Sequence, residues 1–152
     1  MTGNLLAFLD MIAYSEIGPQ LLALSDNGYN VCVGSTPAKP ILFDSYARHP
    51  MIRNHALNSD AAGRYQFMGR YWPAYMLQLK LPDFGHDSQD RWAVQLIKEC
   101  HALDDVLTGH VVVAVGKCSS RWASFPGNTY GQHVNQISAL EDAYERAGGE
   151  FA

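Results

Sequence analysis

The sequence predicts an α+β fold in which helices dominate and a small β-hairpin follows the first helix. Apolar residues recur at helical spacing in the opening segment and in three later segments, over residues 69–79, 89–101 and 134–146. Residues 29–33 alternate in polarity and residues 41–43 are apolar, which favours two short strands. Neither a linker nor an internal repeat divides the 152 residues, so we expect a single domain over residues 1–152.

The opening helix is predicted over residues 4–15, with Thr2 or Asn4 as its N-cap. Its apolar positions, at intervals of four and three residues, are Leu5, Leu9 and Ile12. Glu16 follows one further turn along and therefore extends the apolar face. The Gly18-Pro19 pair then ends the helix. A carboxylate is thus placed where we expect burial.

Glu16 is the residue on which the functional hypothesis rests. Burial disfavours a charged carboxylate, and the negative end of the helix dipole acts in the same direction, so we predict a raised pKa. A carboxylic acid that stays protonated near neutral pH is suited to donate a proton in catalysis. The alternative, from this segment alone, is that Glu16 leaves the helix end and is solvated.

The rest of the chain supplies turns, loops and helices in a simple order. Residues 21–24 continue in helical turns, Asp26-Asn27-Gly28 is a turn signal, and residues 46–63 form a long loop of a kind that is often functional. In the helix over residues 69–79, Pro73 is tolerated only within the first turn. Residues 104–107 form one short turn. For the β-branched run over residues 111–115 we expect a helix, because its neighbours are helical.

The composition is that of a globular protein with no strong attraction to nucleic acid. Hydrophobic residues make up 47% of the chain and charged residues 17%, and the net charge is −4. No apolar run approaches the roughly 20 residues that cross a membrane. The N-terminus lacks the basic and apolar regions of a secretion signal. We therefore expect no membrane insertion and no export by the usual route.

The sequence lacks the residue patterns of zinc amidases and of serine hydrolases. The six histidines show no ligand spacing such as His-x-x-x-His, so we expect neither a metal nor zinc amidase chemistry. No Gly-x-Ser-x-Gly elbow supports a serine hydrolase. Cys32, Cys100 and Cys118 are widely separated and odd in number, which indicates free thiols. We expect no cofactor.

Several short motifs lie in register along nearly the whole chain. They include Ser15-Glu16, His49-Pro50, Ala62-Gly63-Arg64-Tyr65-Gln66, Ser88-Gln89-Asp90, Trp122-Ala123-Ser124 and Tyr130-Gly131-Gln132. Together these motifs resemble the phage lambda endolysin family, whose members cleave bacterial peptidoglycan and cause host cell lysis. The sequence departs from that pattern in three respects. Relatives usually have a glycine directly after the glutamate, whereas Ile17 precedes Gly18 here; the acidic residue near His49-Pro50 is shifted to Asp44, with Arg48 beside His49; and residues 111–115 are more β-branched than expected.

The resemblance implies a lysozyme-like fold with a substrate cleft, and a lytic transglycosylase reaction. The family's essential glutamate falls on Glu16, which would protonate the glycosidic oxygen between N-acetylmuramic acid and N-acetylglucosamine. It would then accept the proton of the muramic acid 6-hydroxyl, which replaces water and leaves a 1,6-anhydro end. One carboxylate then suffices where ordinary glycosidases need two.

Six further residues are predicted to contact the glycan. Similar glycine-containing motifs that end in Gln line the clefts of lytic transglycosylases. The resemblance therefore implies that the segment with Gly63, Tyr65 and Gln66 lines the cleft here. A glycine permits close backbone approach, and the Gln66 amide can hydrogen-bond a sugar. The other candidates are Tyr46 as a cleft wall, and Tyr130 and Gln132 as an opposing lip. Each of the six also has a simpler interpretation as a turn or core residue.

Two other functions remain open from the sequence. Asp26 could position a water molecule and make the protein a hydrolytic muramidase, although Asp-Asn-Gly is itself turn chemistry. The scaffold could also be a wall-binding module without catalysis. For the transglycosylase, the resemblance implies the peptidoglycan glycan strand as partner. We expect a monomer that stays in the host cytoplasm until a separate pore-forming protein lets it reach the wall.

Overall fold

The computed structural model describes residues 1–127 and 134–152, and these residues are mainly helical. The helices are α1 (Gly3–Glu16), α2 (Pro19–Leu24), α3 (Trp72–Leu79), α4 (His86–Glu99), α5 (Leu103–Leu107), α6 (Val111–Cys118) and α7 (Ile137–Arg146). A short 3₁₀ helix, Gly69–Tyr71, precedes α3. The chain divides into two compact units, with the boundary inside α4: unit 1 is Met1–Glu16 with Ala93–Ala152, and unit 2 is Ile17–Trp92.

Helix α1 is the central element of unit 1 and is buried on almost every side. Its buried residues are Leu5, Ala7, Phe8, Leu9, Met11, Ile12, Ala13 and Ser15. Thr2 caps the helix, since its hydroxyl accepts the backbone N–H of Leu5 at 3.4 Å. The sequence predicted one apolar face, but a helix that is apolar nearly all round lies inside a core rather than on its surface.

Two shorter helices of unit 1, α5 and α7, pack against α1. The segment after α6 is held by aromatic contacts: Phe125 meets the Phe8 ring edge to face at 6.5 Å, and it also packs against Trp122 at 5.8 Å. These contacts fix the backbone beside the end of α1, where Ser124 precedes Phe125.

Unit 2 has an aromatic cluster at its core, and its residues 25–68 form neither a helix nor a strand. Phe67 stacks on Trp92 with ring centres 4.0 Å apart, and Phe84 contacts both rings as well as Trp72. The buried His49 side chain ties the long loop to this cluster, through a 2.7 Å hydrogen bond between Nε2 and the Phe67 carbonyl. Large buried rings therefore supply the stability that helices supply in unit 1.

The predicted β-hairpin is wrong: the described residues form isolated antiparallel bridges but no strand. Val31 pairs with Leu42, which joins the two predicted strands at a single position, whereas the next residue, Cys32, bridges to Ala62. The N–H of Val31 is used in a turn, by the Gly28 carbonyl at 3.2 Å. A ladder requires successive residues to pair with one partner segment, and here the partners lie in different segments.

The helices were predicted more accurately. The β-branched run is helical, as expected, within α6, and Pro73 lies in the first turn of α3. The predicted start of α4 at residue 89 was three residues late, because His86 already opens the helix. The three cysteines are free thiols, as predicted. Among the described residues, no helix is both long enough and apolar enough to cross a membrane.

Candidate active site

Glu16 is the last residue of α1, and the backbone directly after it fixes this position. Gly18 has φ of 86° and ψ of 154°, a conformation that a residue with a Cβ rarely adopts. Pro19 then begins α2 with its φ already suited to a helix. The chain therefore changes direction within two residues of the carboxylate, which stays attached to the end of a buried helix.

A chain of hydrogen bonds from three polar residues ends at the Glu16 carboxyl group. The Asn135 Nδ2 donates to the Ser15 Oγ at 3.1 Å, and the Ser15 and Ser124 hydroxyls lie 2.7 Å apart. Ser124 also hydrogen-bonds the Glu16 side chain. Because Ser124 has one hydroxyl proton and uses it in the hydrogen bond to Glu16, the Ser15 hydroxyl must be the donor to Ser124. The direction of every bond is then set, from Asn135 to Glu16.

The surroundings hold the Glu16 side chain in its protonated form. Burial of the carboxyl group raises the pKa of Glu16 from 4.5 to about 8, and the hydrogen bond from Ser124 acts in the opposite direction without cancelling it. Glu16 is nevertheless partly exposed as a residue. A carboxyl group that stays protonated at neutral pH, on a residue that is partly exposed, has the properties of a general acid.

Asp26, the second candidate carboxylate, lies in unit 2 in very different surroundings. Its Oδ2 accepts a 2.6 Å hydrogen bond from the Tyr46 hydroxyl and is 2.6 Å from the His86 Nε2. These two hydrogen bonds, first that of Tyr46, lower the pKa of Asp26 below 3.8. Its side chain is 46% exposed. Asp26 is therefore an ionised, solvated carboxylate, which makes it a weak base.

The segment from Gly63 to Gln66 forms a tight turn closed by the bridge between Ala62 and Phe67. Gly63 has φ of 86°, and a Cβ there would lie 3.1 Å from the Phe84 ring and would collide with the Gln89 side chain. The Gln66 Nε2 donates to the carbonyls of Gly63 at 2.8 Å and Val31 at 3.2 Å. Because both bonds use the amide nitrogen, the Gln66 Oε1 is the atom that can accept from a ligand.

The remaining predicted contact residues differ in their exposure. Tyr46 is partly exposed, with its ring edge-on to Phe43 at 5.6 Å. Tyr65 is only 1% exposed and its hydroxyl donates to Asp90 at 2.6 Å, so its ring offers a ligand no surface. Tyr130 and Gln132 lie outside the described residues. The structure thus brings Gly63 and Gln66 together in one turn, and places Tyr46 with Asp26.

Comparison with known proteins assigns the chain to a family. A family model described as Endolysin matches residues 6–151. The chain belongs to the endolysin family. It is 40% identical to the endolysin of Escherichia phage P2, with 96% of this chain and 93% of the relative aligned. It is 42% identical to the endolysin of Escherichia phage lambda, with 94% and 90% aligned.

Solved structures show that this endolysin-family chain has the fold of bacteriophage lambda lysozyme. A structure of that lysozyme complexed with a chitohexasaccharide matches with a TM-score of 0.89 and 39% identity, over 100% of this chain and 98% of the lysozyme. A second structure of lysozyme from bacteriophage lambda matches with a TM-score of 0.85 and 38% identity, over the same shares. The lysozyme-like fold expected from the sequence is confirmed.

The sequence pointed to Glu16, but not to Ser15, Ser124 and Asn135, which form the hydrogen bonds leading to it. Ser15 and Ser124 stood in motifs that carried the resemblance, yet neither was predicted as a site residue, and Asn135 carried no signal at all. Ser15 and Ser124 are each only 9% exposed. Two buried serines flanking an acidic residue in the fold are recognisable only once the loop after α6 is placed beside α1.

Proposed function

We propose that this chain is a peptidoglycan lytic transglycosylase in which Glu16 is the only acid and base. The observation that carries the proposal is the raised pKa of Glu16, about 8, at the partly exposed end of α1. Membership of the endolysin family and the lysozyme-like fold support a substrate in the bacterial wall.

The proposed reaction uses one carboxyl group twice. Glu16 gives its proton to the oxygen that links N-acetylmuramic acid to N-acetylglucosamine, and the bond from that oxygen to the anomeric carbon breaks. The muramic acid 6-hydroxyl forms a new bond to the anomeric carbon and returns its proton to the Glu16 carboxylate. The products are a free N-acetylglucosamine hydroxyl and a 1,6-anhydro end, so no water is consumed and Glu16 is regenerated.

Ser124 has a defined part in this cycle as a positioning residue. Its hydroxyl donates to Glu16, and a hydrogen bond to the charged form of a carboxylate is stronger than one to the neutral acid. The bond therefore strengthens as the proton leaves, which favours the transition state over the ground state. The Asn135 and Ser15 bonds keep the Ser124 hydroxyl aimed at the carboxylate.

The surroundings of Asp26 favour transglycosylation over hydrolysis. A hydrolytic muramidase needs a second carboxylate as nucleophile or as base for water. Asp26 is the candidate, but Tyr46 and His86 both bind its Oδ2, and its lowered pKa weakens it as a base. The two donors give Asp26 a structural task of its own, which is to join the turn after α2 to the loop with Tyr46 and to the start of α4.

We propose that glycan contacts in unit 2 come from the turn with Gly63 and Gln66 and from Tyr46. The Gln66 Oε1 would accept from a sugar hydroxyl or an acetamido N–H, while the partly exposed Tyr46 ring would contact a sugar face. Gly63 would shape the turn, and the buried Tyr65 would support it through Asp90. Tyr130 and Gln132 are proposed for the opposing lip. The chitohexasaccharide in the lambda lysozyme structure supports a glycan ligand.

Product analysis tests the reaction directly. We expect mass spectrometry of digested peptidoglycan to show 1,6-anhydromuramic acid ends, each lacking the mass of one water. Ordinary reducing ends would identify a muramidase instead. A Glu16→Gln variant that still sediments with purified peptidoglycan but releases no fragments would separate catalysis from binding. Sedimentation without fragments by the parent protein would leave only a wall-binding module.

We also propose that the protein acts alone, without metal or cofactor, and reaches the wall from the host cytoplasm through a separate pore. Expression in bacteria with and without an added membrane pore tests this. Lysis should follow the pore within minutes, and purified protein should sediment as a monomer. Lysis without any pore would contradict the proposed route.

A further inference from the structure

Unit 2 contains a surface pocket of about 430 Å³ along the loop that follows Phe43. This volume lies within the range of sites that hold small ligands. Its apolar lining comes from Phe43, Pro50 and Ile52, and its charged lining from Asp44 and Arg48. The Ile52 side chain is 47% exposed, so an apolar surface is available to a ligand.

The two charges of this pocket are opposite in sign but not paired with each other. Among the described residues, neither Asp44 nor Arg48 forms an ion pair, and both are exposed. An acid and a base that share an apolar pocket without neutralising one another match a ligand that carries a carboxylate and an ammonium group. A neutral chain of N-acetyl sugars would leave both charges unused.

The pocket has a firm base. The buried His49 imidazole receives the Met51 N–H at its Nδ1, 3.1 Å away, so its Nε2 donates to the Phe67 carbonyl. Burial lowers the pKa of His49, which keeps the ring neutral and preserves this arrangement. At the other end, the Phe43 N–H donates to the Asn30 carbonyl at 3.0 Å. The loop is therefore anchored on both sides of the pocket, and little ordering is needed when a ligand binds.

We propose that this pocket binds the peptide stem of peptidoglycan, with Arg48 on a stem carboxylate and Asp44 on a stem ammonium group. The proposal rests on the proposed function, since it assumes a wall substrate. Tyr46 lies between the two charged residues in sequence, and its ring packs on Phe43 in the pocket wall. One short loop would then hold the sugar through Tyr46 and the stem through its charged residues.

The test compares two substrates that share the same glycan. One is a set of peptidoglycan strands with intact stems. The other is the same strands after an amidase has removed the stems and the lactyl carboxylates that this exposes have been converted to methylamides. We expect the parent protein to cleave the intact strands with the higher kcat/KM. The stem preference is the kcat/KM on intact strands divided by the kcat/KM on stripped strands. Arg48→Gln and Asp44→Asn should each bring this ratio closer to one, by roughly fivefold to tenfold and mainly through a higher KM for intact strands.

Matched variants outside the pocket control for net charge. Arg70→Gln and Asp87→Asn make the same chemical changes at exposed positions that do not line the pocket, and they should leave the ratio unchanged. Acetylating the free amino groups of the stems should slow the parent and leave Asp44→Asn unaffected. That non-additivity is a signature of direct contact that a purely structural role would not produce.

The outcomes separate this inference from the proposed function. Equal cleavage of both substrates by the parent, with no effect of either pocket variant on the ratio, would overturn the peptide site and leave the transglycosylase intact. No cleavage of either substrate by the parent would overturn the proposed function itself. A fall in the ratio for Arg48→Gln but an equal fall for Arg70→Gln would show bulk charge attraction and would also overturn the site.

Discussion

Glu16 and Asp26 carry the same functional group in surroundings that act on it in opposite directions. In unit 1, burial raises the pKa of Glu16 to about 8, and in unit 2, two donors lower the pKa of the half-exposed Asp26. Environments that separate the pKa values of two carboxyl groups in this way suit them to different tasks. The difference shows that loss of water around the carboxyl group suits Glu16 to the proposed role of acid, while hydrogen bonds keep Asp26 ionised.

The largest expected effect comes from removing the acid. Glu16→Gln keeps the shape of the side chain but has no proton to donate, so we expect cleavage of peptidoglycan to fall by roughly 10³-fold or more. Release of soluble fragments from purified walls measures the loss, and circular dichroism checks the fold. Asp26→Asn is the matched variant and should lower the rate by less than about tenfold, with anhydro ends retained. Equal losses for both variants would favour the muramidase.

A smaller effect is expected from the residue that supports the acid. Ser124→Ala removes the hydrogen bond to the carboxylate, so the pKa of Glu16 should rise further and kcat should fall by about tenfold. The pH–rate profile should lose activity at a higher pH than in the parent protein. Ser138→Ala, at an exposed position in α7, is the control. An unchanged profile for Ser124→Ala would exclude a role for this hydroxyl.

The raised pKa also predicts a pH-dependent change in stability. In the unfolded chain Glu16 loses its proton near pH 4.5, whereas in the folded protein it keeps the proton until about pH 8. The stability that the protonated group contributes is therefore full below pH 4.5 and is lost as the pH rises toward 8. Glu16→Gln lacks this loss. The difference in Tm between the variant and the parent should therefore grow by about 10 °C in favour of the variant when the pH is raised from 4 to 8. A constant difference in Tm across this range would show that Glu16 is solvated.

The smallest effect concerns Asp26. Tyr46→Phe removes the hydrogen bond that contributes most to lowering the pKa of Asp26, so that pKa should move up toward its ordinary value. An NMR titration of the Asp26 carboxyl carbon measures this shift. Since the folded pKa is the lower one, the parent loses this stability only as the pH falls below 3.8, and the variant should lose less. No change in the titration would remove Tyr46 from this role.

The two units also differ in how far the sequence predicted them. In unit 1, the spacing of Leu5, Leu9 and Ile12 predicted α1 and the position of Glu16 at its end. In unit 2, the prediction of a hairpin was wrong, because the consecutive residues Val31 and Cys32 form bridges to different segments. Helices depend on local spacing, whereas the bridges of unit 2 depend on which distant segments meet, and one sequence does not contain that information.

The site shows the same division. Glu16 was predicted from local sequence, with support from the family resemblance. The hydrogen-bond chain through Ser15, Ser124 and Asn135 joins positions that are more than a hundred residues apart. Asp44 and Arg48 stood out in the sequence, but the pocket that they share depends on how residues 43–52 fold. Residues close in sequence to a helix end are predictable, while partners brought in by packing are not.

The edge-to-face contact between Phe8 and Phe125 makes the protonation of Glu16 depend on temperature. Phe8 belongs to α1. Phe125 packs against Phe8 and so keeps its neighbour in sequence, Ser124, beside the same helix. Warming that loosens these rings would let water reach the carboxyl group, and the proton would dissociate at neutral pH while the helices still stand. Lytic power should thus fade at a temperature several degrees below the one at which the backbone melts.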